Sequence, residues 1–60
     1  MLNLSSEIIA YEMGELDALE TVVLFQKLVD TGIAWELQGM YGRTARRFIE
    51  EGLVKVEQGS

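Results

Sequence analysis

Asp17-Ala18-Leu19-Glu20-Thr21-Val22-Val23-Leu24-Phe25-Gln26-Lys27-Leu28-Val29-Asp30-Thr31-Gly32 is the stretch on which the fold turns. Asp17 and Glu20 have the three-residue spacing of a capping box. The Asp17 carboxylate accepts from the Glu20 backbone N–H, and the Glu20 side chain reaches back to the N–H of Asp17. A helix is therefore predicted from Ala18 to Asp30 or Thr31, closed by Gly32 in the left-handed conformation. The β-branched run Thr21 to Val23 would also suit a strand, but a cap at one end and a glycine at the other favour the helix. Val22, Val23, Leu24, Phe25, Leu28 and Val29 cover more than half of its circumference, which makes it either the central element of a core or a dimer seam.

Outward from this helix, glycine does the punctuation, because the chain has no proline. A shorter helix is predicted from an Asn3 or Ser5 N-cap to Met13, with Gly14 after it and Leu4, Ile8 and Tyr11 sharing one face. On the C-terminal side a short helix is predicted over 33–37, stopped near Gly39. A last one runs from Tyr41 or Gly42 to Glu51 and is closed by Gly52. Tyr41, Ala45, Phe48 and Ile49 fall on one face of it, so Arg43, Arg46, Arg47 and Glu50 point away. Leu53, Val54 and Val56 then tail off in extended form. The expected fold is all-α: a compact bundle of three to four short helices around Val22, Phe25 and Phe48, with a short extended C-terminal tail. Residues 1–57 form one domain and 58–60 a frayed end.

Sixty residues with a hydrophobic fraction of 48% suffice for one core. A chain of this size buries only about 60% of its unfolded surface, so its stability is narrow. Neither cysteine nor histidine is present. That removes the disulfide and the structural zinc site as supports, and leaves oligomerisation or good helix packing. No apolar run reaches the ~18 to 20 residues of a membrane span, and the N-terminus lacks a basic region and cleavage site. The expectation is a cytoplasmic protein with no membrane association.

The same absences empty the list of catalytic candidates. The commonest general base, the best thiol nucleophile and the soft metal ligands are all missing. Glu12, Glu15 and Asp17 cluster around Gly14, but their spacing is not that of a calcium loop, and solvated carboxylates at a helix start are the ordinary reading. Gly39 and Gly42 are not followed by the Lys-Ser/Thr pair of a phosphate loop. No catalytic residue, metal ligand or cofactor is assigned, and a binding protein is expected rather than an enzyme.

Charge is divided along the chain. Residues 1–36 hold seven acids against Lys27 alone, a net charge of −6. Residues 37–60 hold Arg43, Arg46, Arg47 and Lys55 against three acids, a net charge of +1. Such a field opposes adhesion to nucleic acid and to anionic membranes and steers the molecule towards basic protein surfaces. A helix, a glycine turn and an arginine-bearing helix also suggest a helix-turn-helix DNA reader, yet three arginines contend with ten acids. Phosphate contacts supply most nucleic-acid affinity, so that match is weak.

The segment Trp35 to Arg47 is the most unusual chemically, holding the only tryptophan, a tyrosine, two glycines and three of the five cations. Trp35, Gln38, Tyr41, Arg43, Arg46 and Arg47 are the candidate partner-binding residues, since tryptophan, tyrosine and arginine dominate interface energetics. Two readings stay open for Trp35 and Tyr41, aromatic anchors or plugs of a small core, and the second is preferred. Arg46 and Arg47 have Glu50 and Glu51 at i+4, whereas the only i+4 neighbour of Arg43 is the like-charged Arg47.

Ile9-Ala10-Tyr11-Glu12-x-Gly14-Glu15-Leu16-Asp17, Leu24-Phe25-Gln26-x-Leu28-Val29-Asp30-Thr31-Gly32, Ala34-Trp35-x-Leu37-Gln38-Gly39-x-Tyr41-Gly42-Arg43-Thr44-Ala45 and Ile49-Glu50-x-Gly52-Leu53 together span nearly the whole chain. In these blocks the chain resembles a family of very short tailed-bacteriophage proteins with no assigned activity. The resemblance implies a setting, the cytoplasm of an infected bacterium, where small phage products attach to host proteins. The expected function is thus a non-catalytic protein-binding module directed at a host protein. The alternatives are a self-associating domain joined through residues 18–30 and, third, a DNA-binding module.

Overall fold

The computed structural model describes residues 4–56. Its elements are α1 (Ser5–Glu12), α2 (Ala18–Thr31), a single 3-10 turn (Ile33–Trp35) and α3 (Gly39–Glu50), with no strand among the described residues. The all-α bundle expected from the sequence is what forms.

Helix α2 starts and stops where its end signals place it. Asp17 Oδ1 accepts from the Glu20 N–H at 2.7 Å, and Glu20 Oε1 accepts from the Asp17 N–H at 3.0 Å. Two otherwise orphaned donors are satisfied, stabilising the start by about 1 kcal/mol. Gly14 and Gly52 close α1 and α3 at φ +74° and +79°. In each case the glycine N–H bonds back three residues, and the next N–H bonds back five, from Glu15 to Ala10 and from Leu53 to Phe48. This is the Schellman arrangement, and it requires the left-handed conformation that glycine adopts without penalty.

Three boundaries differ from the sequence reading. The α1 N-cap is Leu4, which makes no side-chain cap bond, and Ser5 is already helical; Asn3 lies outside the described residues. Leu4 is buried, so packing rather than capping fixes this entry. The short helix over 33–37 is a 3-10 turn ending at Trp35, although the Leu37 N–H still bonds to Ile33 O at 3.1 Å. Gly39 stops nothing: it opens α3, two residues before Tyr41, with Gln38 as N-cap. Glycine costs a helix most in its interior, and here the bond from the Tyr41 N–H to Gln38 O at 2.8 Å secures the first turn.

Phe25 is fully buried at the centre. Tyr11 and Phe48 meet it edge-on at ring centroids of 5.3 and 5.2 Å, and Tyr41 stacks on it at 6.1 Å. Such pairs contribute about 0.5–1.5 kcal/mol each beyond the area they bury. Leu24, Leu28 and Val29 extend the same face of α2, and Leu4, Ala34, Ala45 and Val54 close over it. Val22 and Phe48, expected at the centre, are partly buried and pack against this cluster.

The stretch after α3 is not a loose end. Val54 is buried in the core, and the Gln26 side chain grips the backbone of the next residue, donating from Nε2 to Lys55 O at 2.8 Å and accepting the Lys55 N–H on Oε1 at 2.9 Å. The frayed end expected over 58–60 lies outside the described residues.

Candidate functional site

The 3-10 turn sets the geometry of the candidate surface. Its side chains step round by about a third of a turn per residue, so with Ala34 wholly buried its neighbour Trp35 is turned outward, 52% exposed. Opposite it, Gly39, Gly42, Arg43 and Arg46 fall at the 0, 3, 4 and 7 spacing of one face of α3, away from the core face of Tyr41 and Ala45. Trp35 and these four residues line a shallow cleft of about 260 Å³.

Gly42 lies where the two walls meet. A Cβ built on it would lie 3.8 Å from both the Ala34 carbonyl oxygen and Trp35 Cε3, so the indole rests against bare backbone. Arg43 extends towards the start of α3, its Nη1 3.7 Å from the place a Gly39 Cβ would occupy. Neither Arg43 nor Arg46 has an ion-pair partner among the described residues. The N-terminus of α3 has no side-chain cap bond and no acid in its first turn, so its dipole adds to the positive field of the cleft.

The six residues singled out from the sequence separate. Trp35, Arg43 and Arg46 come together, and Gln38 stands exposed as the α3 N-cap nearby. Arg47 is turned aside and pairs with Glu51 at 3.2 Å, while the companion pair of Arg46 with Glu50 is not formed. Tyr41 leaves the candidate surface altogether, being only 2% exposed. Its hydroxyl donates to Glu12 Oε2 at 2.5 Å and ties α3 to α1. Burial first, then this hydrogen bond and the negative charge of Glu12, with Tyr11 a smaller influence, push the phenol up to about 12. The two aromatics thus take opposite roles, one core and one surface.

Two wall residues, Gly39 and Gly42, were absent from the sequence-derived set. The signal was present in their spacing with Arg43 and Arg46, but a helix begun at Tyr41 excludes Gly39 from the stripe. Among the described residues no group of three or more acids converges as a cation site would require. No helix in the described residues is long and apolar enough to cross a membrane.

A family model described as "Domain of unknown function (DUF7417)" matches residues 1–60. No curated protein and no solved structure matches the chain.

Proposed function

We propose, from the premise that this chain belongs to the family described as Domain of unknown function (DUF7417), that it is a non-catalytic protein-binding module, a small phage-type protein that attaches to a host protein. The carrying observation is the pairing of a half-exposed Trp35 with Arg43 and Arg46 across one cleft, neither arginine having an ion-pair partner among the described residues. A planar apolar anchor beside two forked cation donors is the combination that concentrates binding energy at protein interfaces. The partner surface it suits presents carboxylates around an apolar side chain.

Affinity capture from bacterial lysate tests this with the wild type, Trp35→Ala, and Arg43→Ala combined with Arg46→Ala. A specific partner should be retained by the wild type and lost by both variants, while far-UV circular dichroism stays helical. Trp35 is the only tryptophan, so its emission should shift to the blue when the partner covers it. Capture that the variants leave undiminished would overturn the proposal.

Self-association through residues 18–30 has less support, because Leu24, Phe25, Leu28 and Val29 are consumed by the intramolecular core. A strict monomer in sedimentation equilibrium at micromolar concentration would remove it. DNA binding is weaker still, since α3 ends in Glu50 and its C-cap is Glu51. It would predict a duplex mobility shift at about 50 mM salt, where phosphate contacts are strong.

A further inference from the structure

We infer that the hairpin of α1 and α2 carries a second docking surface, of opposite character to the Trp35 cleft, which receives a cationic amphipathic helix from a partner. Leu19 and Val23 stand four apart on the outer side of α2, 73% and 46% exposed. With Leu16 they form the apolar floor of a groove of about 340 Å³ whose lining also includes Glu7 and Glu20. Single exposed aliphatic side chains are commonplace, whereas here three share one concavity with two carboxylates. The carboxylates are positioned rather than loose. Glu20 is held by the capping box, and Glu7 is held by Lys27 Nζ at 3.0 Å across the hairpin.

Charge decides between occupants. A second copy docking through the same groove would bring together two chains that each carry a net charge of −5. Within a Debye length of about 8–10 Å such like charges repel at ordinary salt. A helix with leucines at i and i+4 flanked by lysines reverses every one of these terms. Its leucines cover Leu19 and Val23, and its ammonium groups meet Glu20 and share Glu7 with Lys27.

The probe is a synthetic amphipathic helical peptide with that pattern, labelled for fluorescence anisotropy, beside an analogue with each lysine replaced by glutamate. The lysine peptide should bind the wild type, weaken steeply as salt is raised, and shift backbone amide resonances over residues 16–23. Leu19→Ser combined with Val23→Ser alters only exposed positions and should weaken binding by about tenfold or more, as expected for the loss of two aliphatic contacts. Glu7→Gln should lower the salt dependence. Trp35→Ala should bind as the wild type does, so the outcome is independent of the cleft on α3. Equal affinity for both peptides, amide shifts elsewhere than 16–23, or a homodimer that the Leu19→Ser, Val23→Ser change dissolves would each overturn the inference.

Discussion

Raising the pH from 9 to 11 should cost the wild-type domain stability that a Tyr41→Phe variant does not lose. The phenol of Tyr41 is pushed up from an ordinary 10.0 to about 12 in the folded chain. A group whose folded pKa is raised contributes its full stabilisation below the unfolded value and loses it as pH climbs towards the folded one. The loss therefore falls between about pH 10 and pH 12, where the unfolded chain releases a proton that the native state still holds. At pH 11 the difference is about one unit, or about 1.4 kcal/mol. The hydroxyl is only partly screened from water, which brings the figure to about 1 kcal/mol. In a domain this small that corresponds to about 4–8 °C in Tm. The assay is thermal unfolding by circular dichroism of both proteins at pH 9, 10 and 11. At pH 9 the variant should be the less stable by about 1 kcal/mol, for the lost bond to Glu12. By pH 11 that gap should close. Other groups also titrate in this range, but they do so in both proteins and cancel in the comparison. A gap that stays constant with pH would refute the assignment of Tyr41 as a buried, Glu12-bound phenol.

Other substitutions read other parts of the same structure. Phe25→Ala removes the ring on which Tyr11, Tyr41 and Phe48 converge; the cost of about 3–5 kcal/mol rivals the whole stability of a 60-residue domain, so its helical dichroism should collapse at 25 °C. Gln26→Ala should leave α2 intact but release the Lys55 backbone, seen as faster hydrogen exchange of the Lys55 amide and a loss of about 1 kcal/mol. Gly42→Ala should stabilise by about 0.5–1 kcal/mol, because a Cβ there meets only ordinary contacts in a helix interior, while it narrows the Trp35 cleft and weakens partner capture.

Elements with local end signals were legible in the sequence, and those held by distant contacts were not. The capping box and Gly32 place both ends of α2, because the groups that satisfy its orphan N–H and C=O lie within a few residues. The entry to α1 has no such group, and Leu4 takes the N-cap because its side chain is needed in the core. The seating of Val54 depends on Gln26, twenty-nine residues earlier in the chain, and no periodicity carries that information. A glycine beside a serviceable helix reads as a stop, whereas Gly39 belongs to α3 because the Tyr41 N–H bonds to the Gln38 carbonyl one residue before it.

The separation of Trp35 from Tyr41 follows from the same distinction and bears on what the molecule does. Both are large aromatics of one short segment, and a core of this size has room for few rings. Tyr41 lies on the α3 stripe shared with Ala45, Phe48 and Ile49, so helical periodicity commits it to the Phe25 side. Trp35 belongs to a 3-10 turn in which the buried place goes to Ala34, whose carbonyl oxygen faces Gly42. Turning the indole inward would have to open the contact between that turn and Gly42. The exposed tryptophan is thus a consequence of how closely the turn and α3 approach, and the same closeness brings Arg43 and Arg46 beside it.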